Sequence, residues 1–175
     1  RPLVDMEALQ EFRERALSPM HPVMKGMAEN PDVFFTHRES CNSYYDAVAD
    51  IVSDYMDKIS EITGRKYRPF NYYGAADAEN IIICMGSACE AIREVIDYEA
   101  AKGNNKLGMI NVHLYRPFSL KYLKEALPAS VKRICVLDRT KEPGANGEPL
   151  YLDVKDALDE LGLNHILVVG GRYGL

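Results

Sequence analysis

The stretch Asn80-Ile-Ile-Ile-Cys-Met-Gly-Ser-Ala-Cys-Glu-Ala-Ile-Arg-Glu-Val-Ile96 decides the fold. It opens on a continuous apolar run, Ile81–Met85, rather than on alternating apolar and polar side chains. A strand buried on both faces reads this way, as the strands of a parallel sheet do. Gly86 interrupts the run. Ser87-Ala88-Cys89-Glu90 then has the Ser-x-x-Glu spacing of a capping box, in which hydroxyl and carboxylate satisfy the free N–H groups of a helix start. A helical pattern follows over Ala88–Ala101. The passage is a strand running into a helix, the first half of a βαβ unit.

Three more apolar runs lie downstream: Met109–Leu114, Val131–Leu137 and Ile166–Val169. Two helical patterns separate them. One is Leu120–Leu127, capped by Ser119 and stopped by Pro128; the other is about Pro149–Leu161, with Gly162 after it. Strand and helix alternating at roughly 25–30 residues per repeat is the signature of right-handed βαβ crossovers. The spacing predicts an α/β domain over residues 76–175: three layers, α/β/α, with a mostly parallel sheet and helices on both faces.

Residues 1–75 read differently, as a helical arm and linker from a preceding domain. Leu9, Phe12, Arg13, Ala16 and Leu17 give a short amphipathic helix with Asp5 as its cap and Pro19 just past its end. His21 to Arg38 reads mostly as loop, with Val33-Phe34-Phe35 a short strand. From Ser43 to Thr63, the residues Tyr45, Val48, Ile51, Val52, Tyr55, Ile59 and Ile62 recur at spacings of three and four, which predicts a long helix closed by Gly64. Arg65 to Ala76 reads as a Tyr-rich linker containing Pro69 and Gly74.

Bulk properties narrow the function. The 175 residues are 47% hydrophobic and 27% charged, ordinary for a globular domain with a core. Net charge is −5, and the two parts carry −3 and −2, so neither is a basic surface for nucleic acid or membrane. No run approaches the roughly 18 apolar residues of a membrane span, and no signal peptide opens the chain. The chain begins at Arg1 without methionine and closes on a Gly-rich stretch ending at Leu175. Both ends read as cuts, and a fragment is expected.

Four cysteines are present. Cys84 and Cys135 lie in apolar runs, where cysteine acts as a small hydrophobe. With Cys41 and Cys89 they match no zinc or iron–sulfur spacing. Cys84 and Cys89 are close enough in sequence for a redox pair, though packed thiols are the preferred reading. A chain with this much core needs no disulfides, which points to a reducing, cytoplasmic setting. His21, His37, His113 and His165 are scattered, and no catalytic triad, carboxylate pair or metal cluster assembles.

Candidate site residues gather where strands end. Gly86 and Ser87, at a helix N-terminus, form a candidate anion site, since free N–H groups and positive potential favour anions there. Gly-x-Gly-x-x-Gly is absent, which argues against a dinucleotide, and the plain alternative gives Gly86 a role in close strand–helix packing. Arg116, in Tyr115-Arg116-Pro117-Phe118, either clamps a phosphate or carboxylate or pairs with an acidic residue of a neighbouring domain, the second being preferred. The loop Asp138 to Pro149 is the most unusual stretch. Its Arg139, Lys141, Glu142, Gly144, Asn146, Gly147 and Glu148 mix charge with turn formers at the carboxyl edge of the sheet, where α/β proteins place functional loops. It is a ligand loop or a rigid docking surface, with docking preferred.

Several stretches, in order, resemble pyruvate:ferredoxin (flavodoxin) oxidoreductase. Glu79 to Ile92 and Val112-His-Leu-Tyr-Arg-Pro-Phe-Ser119 are similar to the family's second domain. Leu137-Asp-Arg-Thr-Lys-Glu-Pro-Gly-Ala-Asn-Gly-Glu-Pro-Leu-Tyr151 is the most specific match. Gly170 to Leu175 resembles an exit into the next domain, and Asn30-Pro-Asp-Val-Phe-Phe35 and Asn42-Ser-Tyr-Tyr45 the segment leaving the first. The resemblance implies a fold like the C-terminal domain of transketolase. It implies a parent, expected to be a homodimer, that uses thiamine diphosphate and [4Fe-4S] clusters to turn pyruvate and CoA into acetyl-CoA and carbon dioxide, with ferredoxin or flavodoxin as acceptor. No Gly-Asp-Gly thiamine motif and no cluster motif occurs here, so no cofactor and no catalytic residue is assigned to this chain. Its expected role is structural, docking other domains of the same parent. The alternative is a stand-alone nucleotide- or CoA-binding module.

Overall fold

A computed structural model describes residues 3–24, 26 and 28–174; Arg1 and Leu175, the ends read above as cuts, lie outside them. The chain divides into two compact units, Arg1–Val48 and Ala49–Leu175.

The first unit contains α1 (Met6–Glu14), α2 (Pro31–Ser40) and the start of α3 (Asn42–Thr63). Asp5 caps α1 as expected: its Oδ1 accepts the N–H groups of Glu7 and Ala8, both at 3.0 Å. The strand expected at Val33-Phe34-Phe35 is instead the middle of α2. Asn30 stands at the N-cap and Pro31 at the first helical position, where its fixed φ suits a helix and its missing N–H costs nothing. Asp32 in the first turn and His37 and Arg38 in the last complement the helix dipole. Together they override the β-preference of Val and Phe, which depends on context. None of the described residues of this unit is buried.

The second unit is built on five strands: β1 (Phe70–Gly74), β2 (Asn80–Cys84), β3 (Leu107–Val112), β4 (Arg133–Asp138) and β5 (Leu167–Arg172), in the order β1-β3-β2-β4-β5. The four strands expected from the apolar runs, β2 to β5, are parallel to one another. β1 pairs antiparallel with β3, Phe70 opposite Val112 and Gly74 opposite Gly108. In sequence these residues look like linker, because Pro69 and Gly74 are loop signals. They are in fact the strand's two limits, and the aromatic residues between them suit a pleated, half-buried surface. The sheet begins at Phe70, and the second compact unit at Ala49.

The remaining helices are α4 (Ala88–Ala101), α5 (Leu120–Ala126) and α6 (Pro149–Glu160). Alternation along each strand sends side chains to opposite faces. Ile81, Ile83, Ile110, Val112, Ile134 and Val136 pack against Leu123 of α5 and Leu150, Val154 and Leu158 of α6. Cys84 and Met109 pack on the other face against Cys89, Ile92 and Ile96 of α4. Each fully buried isoleucine contributes about 1.5–3 kcal/mol of burial free energy. The three-layer α/β/α expectation holds, with one antiparallel edge.

Candidate functional site

Because β2, β3, β4 and β5 are parallel, their carboxyl ends share one edge. Gly86 and Ser87 follow β2, Arg116 follows β3, the loop Arg139 to Glu148 follows β4, and Arg172 to Gly174 close β5.

The turn after β2 does not carry the expected capping box. Ser87 has helical dihedrals and makes no side-chain cap. The first turn of α4 is closed instead by the Cys89 N–H on Gly86 O at 3.2 Å. Gly86 has φ +72° with nothing within 4 Å of a hypothetical Cβ. Its role is therefore the left-handed turn, not the close strand–helix packing of the plain alternative. Glu90 already supplies an acidic group in that first turn.

Arg116 is joined to Asp153 of α6 at 2.8 Å, and its guanidinium stacks 4.0 Å from the Tyr115 ring centroid. Burial, then the Asp153 carboxylate, push the Tyr115 hydroxyl up to about 12. The partner of Arg116 thus lies within its own domain, on the α5/α6 side of the sheet, whereas Gly86 and Ser87 lead into α4 on the other.

The loop after β4 divides in two. Arg139, Lys141, Glu142, Gly144 and Asn146 are exposed, whereas Gly147 and Glu148 are buried. The Glu148 carboxylate, 4% exposed, accepts the Glu142 N–H at 2.8 Å and a hydrogen bond from Arg172 Nε, with Lys141 Nζ 3.9 Å away. Burial raises its pKa, but the hydrogen bonds from Arg172 and the Glu142 N–H outweigh it and hold it below the usual value. Gly147 lies where a Cβ would strike the Tyr151 ring at 2.4 Å. Arg139 Nε reaches Gly174 O at 3.2 Å, so the loop also touches the chain after β5.

Asp138, the last residue of β4, is 3% exposed and accepts the N–H groups of Leu150 and Tyr151 at 2.9 and 3.1 Å. It therefore caps α6 from across the loop. Sequence reading missed this, because the cap stands eleven residues before Pro149 rather than next to it. Asp153 and Tyr173 were also missed. Tyr173 bonds Asp138 O through its N–H and Met85 O through its hydroxyl, both at 3.1 Å, and so ties β4 to the turn after β2.

The edge offers shape and charge, with no assembled catalytic set. Among the described residues no group of three His, Cys, Asp or Glu side chains stands ready to hold a metal, and no helix is long and apolar enough to cross a membrane.

Residues 78–174 match the family model described as pyruvate:ferredoxin oxidoreductase core domain II. The chain is 56% identical over 173 residues to pyruvate:ferredoxin oxidoreductase of Moorella thermoacetica and 54% identical over 173 residues to pyruvate-flavodoxin oxidoreductase of Enterobacter agglomerans. In both cases 99% of this chain is covered, and the chain spans 15% of the relative's length. Among solved structures, 2-oxoglutarate:ferredoxin oxidoreductase from Magnetococcus marinus, with 2-oxoglutarate, coenzyme A and succinyl-CoA bound, aligns with a TM-score of 0.50 at 17% identity. That alignment covers 85% of this chain and 22% of the neighbour, and it supports the α/β architecture alone. The chain belongs to the pyruvate:ferredoxin oxidoreductase family, as a core domain II.

Proposed function

We propose that this chain is a structural and docking domain of a cytoplasmic oxidoreductase, one that converts pyruvate and CoA to acetyl-CoA and carbon dioxide. Ferredoxin or flavodoxin receives the electrons, and the parent works as a homodimer. Thiamine diphosphate and [4Fe-4S] clusters belong to other domains of that parent. The residues present here do not fit either group: there is no Gly-Asp-Gly sequence, and Cys84 and Cys89 spend their thiols on each other.

One observation carries the docking reading. α4 covers only part of its face of the sheet. Beside it lies a groove of about 390 Å³ with apolar walls, formed by Ile82, Ile92, Val95, Cys135, Leu167 and Val169. Val95, Leu167 and Val169 are 56%, 59% and 49% exposed. A contiguous apolar patch of this kind is a surface built to be covered. The relatives are several times longer than this chain, so the occupant is another domain of the same polypeptide. The first unit, with Phe12 and Phe35 67% and 72% exposed and no buried residue, is read in the same way, as an arm continuing a preceding domain.

The test replaces Leu167 and Val169 together with lysine. In the whole enzyme the pair of changes lowers activity or breaks assembly, while the 175-residue chain keeps its melting temperature. An unaffected whole enzyme refutes docking through this face. Calorimetric titration of the chain with CoA, NAD and FMN returns no binding heat; saturable heat favours the stand-alone binding module instead. Purified chain given pyruvate, thiamine diphosphate, CoA and methyl viologen reduces no dye.

A further inference from the structure

Cys84 closes β2, and Cys89 stands in the first turn of α4. Their Sγ atoms are 3.2 Å apart, and the residues are 0% and 1% exposed. Both are free thiols. A disulfide requires the sulfurs to close to about 2.05 Å, so roughly 1 Å of movement separates the pair from a covalent bond. The intervening Met85-Gly86-Ser87 turn can take up that movement. Gly86 is exposed, left-handed and unobstructed, and Ser87 leaves the helix start without a side-chain cap.

The two thiols differ in character. The hydrogen bond from Cys84 holds the Cys89 thiol below its usual range, burial opposes this, and the Arg93 guanidinium one turn along the helix assists it. Cys84 is pushed up, first by that same hydrogen bond and then by burial. Standing in the first turn of α4, with the Arg93 guanidinium one helical turn along, Cys89 is the natural nucleophile, and Cys84 at the end of β2 the natural resolving thiol.

We propose that Cys84 and Cys89 form a redox modification site, a dithiol that a peroxide closes to an intramolecular disulfide and a thiol reductant reopens. The peroxide reaches the pair when the first turn of α4, which has the Cys89 N–H bond to Gly86 O but no side-chain cap, opens locally, as helix ends do. The Cys89 thiolate attacks one peroxide oxygen. The O–O bond breaks, an S–O bond forms, and the departing hydroxide takes up a proton as water. The Cys84 sulfur, losing its proton, then attacks Cys89 Sγ; the S–S bond forms, the S–O bond breaks, and a second water leaves. Two thiols and one hydrogen peroxide become one disulfide and two waters. The bond then ties the end of β2 covalently to α4, at the turn that Tyr173 also grips.

Trypsin cuts after Lys66 and Arg93 but not at Arg68-Pro69, so both cysteines fall in one peptide, Tyr67 to Arg93. The 175-residue chain is exposed to equimolar hydrogen peroxide, quenched in acid, unfolded in urea, alkylated and digested. The expected result is that this peptide loses two hydrogens and both alkylation sites, and that dithiothreitol before the quench restores them. Cys84→Ser leaves a sulfenic acid on Cys89 that a dimedone probe captures. Cys89→Ser leaves Cys84 at least about tenfold less reactive toward that probe. Recovery of the peptide with both cysteines alkylated, whatever the state of Met85, overturns the proposal. So does linkage of either cysteine to Cys41 or Cys135 in place of the internal bond.

Discussion

Glu148 keeps its carboxylate buried against the loop it terminates, and Arg172, at the end of β5, donates Nε to it across 24 residues of sequence. One acidic side chain therefore fixes two separate pieces of the carboxyl edge: the Glu142 backbone through its Oε2 and the end of β5 through its Oε1. Among the described residues, the exposed cations of the same loop donate to backbone oxygens, Arg139 to Gly174 O and Lys141 to Glu142 O, with Lys141 also 3.9 Å from Glu148.

That asymmetry predicts opposite outcomes within one loop. Replacing Arg139 and Lys141 with alanine in the 175-residue chain changes stability by no more than about 0.5 kcal/mol, the usual range for exposed sites. Glu148→Ala removes a buried side chain that is the shared acceptor of the Glu142 N–H and Arg172 Nε, and lowers the melting temperature by several degrees. Differential scanning calorimetry of the two variants decides the matter. Equal losses would make the whole loop an internal brace. In the whole enzyme the Arg139 and Lys141 changes lower activity or weaken assembly.

Glu148 also sets a pH dependence. Its folded-state pKa lies below the ordinary 4.5, so its contribution is fully present above 4.5 and drains away as pH falls through the lower folded value. Asp50, Asp77 and Glu79 are lowered likewise, by hydrogen bonds from Lys121, Lys106 and Lys132, and act in the same direction. Asp138, raised chiefly by burial, runs the other way: its contribution is present below 3.8 and is lost as pH rises through its higher folded value. Urea midpoints measured from pH 7 down to pH 3 should therefore fall below about pH 4.5. Glu148→Gln should start lower at pH 7 and fall less steeply. Parallel curves for the two proteins would remove Glu148 from the titration.

Helix caps test how well local sequence signals report structure. Ser87-x-x-Glu90 reads as a capping box, yet the Ser87 hydroxyl caps nothing, so Ser87→Ala should leave stability unchanged within about 0.5 kcal/mol. Asp138 carries no local cap signal, yet Asp138→Ala removes the acceptor of two helix N–H groups and should cost about 1–2 kcal/mol. Denaturant unfolding of the two variants checks the contrast, and a larger loss from Ser87→Ala would reverse it.

The same contrast explains what was legible. Apolar runs such as Ile81–Met85 report burial on both faces, a property of each segment alone, so the four parallel strands and their helices could be read directly. β1 could not, because Phe70–Gly74 becomes a strand only through pairing with β3, 33 residues or more downstream. Val33-Phe34-Phe35 misled for the opposite reason: strand-forming side chains sit inside a helix that Asn30 and Pro31 had already begun. At the edge, the candidate residues could be named from turn chemistry and charge. Whether each faced solvent, as Arg139 does, or the interior, as Glu148 does, depended on Arg172 and Asp138, which the chain brings together only when folded.

Gly74, where β1 ends, makes the sharpest single-residue test of that tertiary pairing. Its φ is +122°, and a Cβ there would lie 2.6 Å from Leu107 O and 2.7 Å from Gly108 Cα. Both are backbone atoms of the partner strand and cannot swing aside as a side chain would. Gly144 also has a positive φ, +81°, but a Cβ there meets nothing within 4 Å. Alanine at either site incurs the left-handed backbone cost of about 1 kcal/mol. Only at Gly74 does it also press β1 away from β3. Gly74→Ala should therefore lower stability by more than Gly144→Ala, by at least about 1 kcal/mol. It should also speed hydrogen exchange at the amides of Phe70 to Gly74 while those of β2 and β4 stay protected. If the two variants unfold at the same urea concentration with β1 amides equally protected, the antiparallel edge strand is not held by the close backbone approach at Gly74.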